Sequence, residues 1–226
     1  MHRSRVQDGA EYFSVSSVNC TSKLLSLQSS AVSSVSASNG SWKAKNSGDN
    51  KMPTPILKIR LKRRPDGSAA LTCERADGSV TWQRQEGSIG MVFPSHDLTH
   101  YAVETALGYY HGFFGLVADG WDLSDFSAPW PRGAVPPEAL EVELIVGLLD
   151  MQRLMNADWT AAELLEQGKL YVESRGHKAQ LPVLTEEMFT RVRDLRRDIF
   201  ARYAAVVPGG TLELLFDRSV TRSHES

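Results

Sequence analysis

The chain has 226 residues, of which 42% are hydrophobic, and its formal net charge is −2 at pH 7. This length and composition predict one folded domain with an appended segment, and the small charge argues against binding of nucleic acid or an acidic membrane through an overall field. No apolar run approaches the roughly 18 residues that a membrane-spanning helix needs, and two cysteines are too few for a disulfide scaffold.

Residues 1–51 are rich in serine and show neither helical nor strand periodicity, so we expect them to be disordered. Arg3, Arg5 and Lys23, together with the scarcity of acids, allow an organelle transit peptide. The alternative is a non-structural leader, or an upstream extension with Met52 as the working start. The cysteine usage suits a reducing compartment, which predicts a cytoplasmic protein, or an organellar one if the leader is a transit peptide.

Three strands are predicted after this leader. Residues 57–62 alternate leucine or isoleucine with lysine or arginine, the period of a strand with one buried face. Turns at 65–67 and 76–78 separate this segment from strands over 68–75 and 79–84, which gives an antiparallel meander. The basic face of the meander could bind an anion, although a solvent-exposed face is the simpler interpretation.

Four helices are predicted downstream from apolar periodicity. The first helix starts near Ser95, and the other three extend over 137–155, 160–168 and 186–206. Thr160 and Glu163 form the pattern of a capping box at the start of the third helix. The arginines of the fourth helix alternate with Asp194 and Asp198, which indicates solvated ion pairs rather than a face for nucleic acid.

Two further strands complete the expected fold. Residues 169–174 could form a short strand, and the pattern over 211–216 predicts a final strand at the edge of the meander. The predicted class is therefore α+β: a single domain over 52–226, in which a small antiparallel sheet packs against about four helices.

One helical face gathers three of the six histidines in the chain. Relative to His96, a helix places His100 at about 40°, Glu104 at about 80° and His111 at about 60°. Histidines at i and i+4 can bind one ion, so His96 and His100 are candidate metal ligands. Glu104 lies about 12 Å along the axis from His96, which makes it a neighbour of His100, and His111 can join only if the chain turns back.

A third ligand has to come from another segment if these histidines bind a metal. Glu143 is the first candidate, because a carboxylate within an apolar helix needs a partner, although an ordinary exposed glutamate is the alternative. Asp119, Asp122 and His177 are weaker candidates. Residues 112–137 are rich in aromatic residues and glycine and could wall a pocket for a small hydrophobic ligand, or simply cover the core.

The pentapeptide HDLTH at 96–100 resembles the HDxxH element of the zinc-binding coenzyme Q biosynthesis family. The resemblance implies that His96, Asp97 and His100 are metal ligands. In that family the motif continues for eleven residues to a glutamate, whereas this chain has Gly112 at that point.

The sequence therefore predicts a protein that binds a divalent metal, zinc or ferrous iron, through His96 and His100. It could be a small enzyme in which Glu104 or Asp97 transfers protons. The alternative is a non-catalytic protein-interaction module without a nucleic-acid partner. The two hypotheses differ in structure, because an enzyme needs the two imidazoles in a concavity, whereas an interaction module would display them on a convex surface.

Overall fold

The structure is a computed structural model that describes residues 56–85, 92–126, 131–133, 135–174 and 181–217. The predicted leader over 1–51 and the candidate ligand His177 lie outside these residues, so the expectations for them stay predictions.

Four antiparallel strands form one sheet in the order β3-β2-β1-β4. The strands are β1 (Ile56–Arg63), β2 (Ala69–Glu74), β3 (Val80–Gln85) and β4 (Thr211–Asp217). Leu61 of β1 is aligned with Leu71 of β2 on one side and with Leu212 of β4 on the other. The predicted meander and the predicted edge position of the C-terminal strand are both confirmed.

The two faces of the sheet differ as the two-residue period requires. Leu57, Ile59 and Leu61 are buried on the face that carries the helices. On the other face Arg60 donates a hydrogen bond of 2.8 Å to Glu74 and lies 3.5 Å from Glu213. Ion pairs between neighbouring strands therefore occupy part of the basic face.

Five α-helices and one 3₁₀ turn complete the described part of the chain. They are α1 (Phe93–Leu107), α2 (Phe113–Ala118), a 3₁₀ turn (Leu123–Phe126), α3 (Pro137–Leu154), α4 (Ala161–Ser174) and α5 (Glu186–Ala204). Three of the predicted helices are confirmed, with each predicted end within two residues of the observed one: the helix starting near Ser95 and those over 137–155 and 186–206. The short helix α2 was not predicted.

The strand predicted over 169–174 is wrong, because α4 continues through Gly168 to Ser174. A Cβ atom at Gly168 would lie 2.9 Å from Cδ1 of Leu148. This glycine therefore allows α4 to approach α3 closely and does not end the helix. The capping box is present as predicted, since the Thr160 backbone N–H donates to Glu163 (2.8 Å) and the Glu163 N–H donates to Oγ1 of Thr160 (3.3 Å).

Helix α1 lies between two clusters of buried apolar side chains that the described residues form. Leu98 and Ala102 belong to the cluster that includes the sheet, whereas Val103 and Leu107 belong to the cluster that includes α3, α4 and α5. Because α1 is covered on both sides, polar side chains such as His100 and Glu104 are also buried. Among the described residues no helix is both long enough and apolar enough to cross a bilayer.

Candidate metal centre

His96 and His100 occupy the first two turns of α1, and Pro94 lies at the start of the first turn. Their ring centroids are 4.8 Å apart and the ring planes meet at 79°. Only 12% of the His96 side chain and 2% of the His100 side chain are exposed. Both imidazoles are therefore enclosed between helices and do not lie on a convex surface.

Glu143 of α3 joins the two histidines. Its Oε1 atom lies 3.3 Å from Nε2 of His100. His96, His100 and Glu143 each offer one ligand atom, and these atoms all lie within 4.8 Å of one another. Bonds to zinc measure about 2.0 to 2.2 Å, so a bound ion would draw the three atoms closer together. The carboxylate predicted from an apolar helix thus lies beside the predicted histidine pair.

Asp150 fixes the orientation of His96. Nδ1 of His96 lies 2.9 Å from Oδ2 of Asp150, whose side chain is only 1% exposed. An ionised carboxylate can only accept, so Nδ1 carries the proton and Nε2 is the nitrogen left for a metal. A hydrogen bond from a ligand histidine to a carboxylate is a common feature of metal sites.

Glu104 occupies the corresponding position beside His100, 3.4 Å from Nδ1. Its carboxylate also accepts backbone hydrogen bonds from Phe114 (3.2 Å) and Gly115 (3.0 Å) at the start of α2. A Cβ atom at Gly112 would lie 2.5 Å from Cδ of Glu104, so only glycine leaves room for this arrangement. The structure therefore places Glu104 as a neighbour of His100, and it is not one of the three metal-capable residues.

His100 is buried between two carboxylates, those of Glu104 and Glu143. Burial alone would lower the pKa of the His100 ring, but the nearby carboxylates of Glu143 (3.3 Å from Nε2) and Glu104 (3.4 Å from Nδ1) outweigh it and raise the pKa to about 10. Burial raises the pKa of Glu104, and it also opposes ionisation of Glu143, where attraction to His100 prevails and lowers the pKa. Without a metal, His100 thus supplies the positive charge that these carboxylates need.

Two buried carboxylate oxygens find no hydrogen-bond partner within the described part of the chain. These atoms are Oε2 of Glu143 and Oδ1 of Asp150. A buried polar atom without a partner costs about 1 to 3 kcal/mol, and more when it is charged. A divalent cation held by Glu143 would compensate the first of these atoms, so the donor set fits a metal ion.

Asp150 and Arg196 also belong to this region, although neither was predicted from the sequence as a site residue. Nη2 of Arg196 lies 3.6 Å from Oδ1 of Asp150, and Nε donates to Oγ1 of Thr99 (3.1 Å). Asp150 follows Glu143 by seven residues, or two helical turns, which places both on one face of α3. That spacing could have identified Asp150, whereas no local pattern separates Arg196 from the other arginines of α5.

Other predicted residues lie apart from the metal-capable group. Asp97 is buried, and its charge adds to the effect of burial in raising the pKa of the Cys73 thiol in β2. His111 is exposed and donates its backbone N–H to Glu138 (2.7 Å). Asp122 is exposed and pairs with Arg75 at 2.9 Å. The catalytic roles of Glu104 and Asp97 stay predictions.

A row of aromatic rings extends from the histidines. The His100 ring lies 5.2 Å from that of Phe113, which lies 4.8 Å from that of Phe126. The Phe126 ring is 5.3 Å from that of Trp121. Phe113, Phe126 and Trp121 are partly exposed, so the row of rings extends from His100 to the surface of the protein.

Comparisons of the chain with protein-family models, with curated proteins and with solved structures give no match.

Proposed function

We propose that the protein binds one divalent metal ion, zinc or ferrous iron, through His96, His100 and Glu143. The observation that carries this proposal is the convergence of three ligand groups from two helices, of which His100 and Glu143 are buried and His96 is partly buried. Each histidine also has a buried carboxylate beside its Nδ1 atom, Asp150 for His96 and Glu104 for His100. The burial of both rings favours this function over a module that contacts partners through an exposed histidine face.

Three protein ligands leave at least one coordination position open. Catalytic zinc usually has three protein ligands and a water, and two histidines with one carboxylate are also the ligands of many non-haem iron enzymes. We therefore propose a small metal-dependent enzyme, in which the ion would polarise a substrate oxygen or activate a water. Asp150 and Glu104 would hold the histidine rings in place, since both face an Nδ1 atom.

The row of aromatic rings supports a small hydrophobic ligand for this site. Phe113 lies against His100, and Trp121 is at the partly exposed end of the row. Binding sites for small molecules are mostly apolar with a few placed polar groups, a description that fits this combination.

Metal content tests the proposal directly. Protein purified without an affinity tag, or reconstituted with zinc or ferrous ion, should contain close to one metal per chain by elemental analysis. His96→Ala and His100→Ala should each lose that metal, whereas His111→Ala, on the exposed segment after α1, should retain it. A metal-free wild type after reconstitution would contradict the proposal, as would an equal loss in the His111 variant.

Cobalt substitution separates a catalytic ion from a structural one. An open position should allow azide to bind and change the visible absorption of the Co(II) protein. An absorption spectrum that does not respond to azide would show a closed coordination sphere and would contradict the enzymatic part of the proposal, while leaving the metal site itself in place.

A further inference from the structure

A cleft of about 330 Å³ opens between the C-terminal end of α3 and the middle of α5. Four of its lining side chains are arginines: Arg153 of α3 and Arg193, Arg196 and Arg197 of α5. Asp158 is the one carboxylate among the lining residues. A concave surface with this excess of guanidinium groups attracts anions more strongly than the same charges spread over a convex surface.

Arg196 is held in a fixed orientation on one wall of the cleft. It donates to Oγ1 of Thr99 (3.1 Å) and to the carbonyl of Leu149 (3.3 Å). Its guanidinium carbon lies 4.9 Å from the centre of the Phe200 ring, a cation–π contact. Only 13% of this side chain is exposed, so little conformational entropy remains to be lost when a ligand binds.

The other three arginines are less firmly held: two have exposed partners that a ligand can replace, and Arg153 makes no hydrogen bond to its partner Asp150. Arg193 pairs with Asp158 and Arg197 pairs with Asp194, both at 2.7 Å and both exposed. Exposed pairs contribute only about 0 to 1 kcal/mol, so their exchange for another anion costs little. Nε of Arg153 lies 3.6 Å from Oδ1 of Asp150, which is too long for a hydrogen bond.

We propose that this arginine cleft binds the phosphate or carboxylate group of a small anionic molecule. A guanidinium donates two parallel N–H groups that match either oxyanion. Asp150, Asp158 and Asp194 are the facing carboxylates, and the four arginines outnumber them. The proposal goes beyond the metal function and does not depend on it, although Asp150 links the two sites because its Oδ2 atom faces His96.

The test uses the full chain after removal of metal with a chelator, so that its outcome is independent of the metal proposal. Inorganic phosphate and acetate are titrated separately at a constant low ionic strength set with chloride, and binding is followed by ¹H–¹⁵N NMR. We expect saturable binding of at least one of the two ions, with shifts centred on residues of the cleft. Saturation by phosphate alone would identify a phosphate-bearing ligand, and saturation by acetate would identify a carboxylate.

Arg153→Gln should weaken this binding about tenfold, the effect of losing a charge-assisted hydrogen bond. Arg197→Gln, on the opposite wall, provides a second variant. Arg191→Gln is the matched control, because Arg191 lies on α5 outside the cleft and pairs with Glu187 at 3.0 Å. Failure of both anions to saturate, or equal weakening in the Arg191 variant, would overturn the proposal.

Discussion

Nδ1 of His96 and Oδ2 of Asp150 lie 2.9 Å apart across the contact between α1 and α3. Burial would raise the pKa of Asp150, but the hydrogen bond with His96 and the charges of Arg153 and Arg196 prevail and lower it. Asp150 is therefore ionised at neutral pH and accepts a hydrogen bond from the Nδ1–H group of His96. The orientation of His96 is consequently set before any metal binds.

Asp150→Asn should weaken metal binding about 10- to 100-fold, because the neutral amide holds the His96 ring less firmly and lowers its basicity. Competition with a chromophoric chelator measures the dissociation constant. Asp194→Asn removes an exposed carboxylate of α5 that pairs with Arg197, and it serves as the control. Equal metal affinity in the Asp150 variant and the wild type would show that this carboxylate does not support the site.

Gly112→Ala should destabilise the protein by about 1 to 3 kcal/mol, because the new methyl group would lie 2.5 Å from the Glu104 side chain. Urea unfolding of four proteins measures the coupling: wild type, Gly112→Ala, Glu104→Ala and the double variant. The glycine substitution should cost less when Glu104 is already shortened. Strictly additive losses would mean that the two side chains do not compete for this space.

The metal-free protein should lose stability as the pH rises above 6.5. The pKa of His100 is raised from 6.5 to about 10 in the fold, so the folded state binds the extra proton between these values. Its contribution is complete below pH 6.5 and falls by at most about 1.4 kcal/mol per pH unit above it. Urea unfolding at about pH 6.5 and at about pH 8 tests this dependence. The upper value lies below the ordinary pKa of a thiol, about 8.5, so cysteine in the unfolded chain stays mostly protonated.

His100→Gln should remove most of this pH dependence, since the amide does not titrate. A slope that persists in the variant would assign the effect to other groups. Saturation of the wild type with zinc should also reduce the slope, because a metal-bound imidazole carries no proton at the ligand nitrogen.

Thr160→Ala should lower the free energy of unfolding by about 1 kcal/mol. The substitution removes Oγ1, which accepts a hydrogen bond from the backbone N–H of Glu163 at the start of α4. Metal affinity should remain unchanged, because the cap lies outside the metal-capable group. Thermal unfolding with and without zinc measures both quantities. A variant that lost metal would link α4 to the site in a way that the structure does not predict.

Local patterns were sufficient for most of the secondary structure. The alternation over 57–62 predicts β1 because each second side chain enters the core, and the apolar run around Glu143 predicts α3. The spacing of His96 and His100 predicts that both rings can reach one ion, since one helical turn separates them. These properties depend on residues that are close along the chain.

The tertiary structure decided what the local patterns left open. Gly168 resembles the end of a helix in the sequence, but α4 continues through it. A glycine is needed at this position because a side chain would collide with Leu148, twenty positions away. Asp150 and Glu143 reach the histidines only because α3 packs against α1, and Arg196 arrives from α5. Helical periodicity shows which residues share a face of one helix, but not which other helix that face will meet. The sequence thus determined the histidine pair and its neighbour Glu104 on one helix, whereas packing decided that Glu143 and Asp150 of α3 meet them.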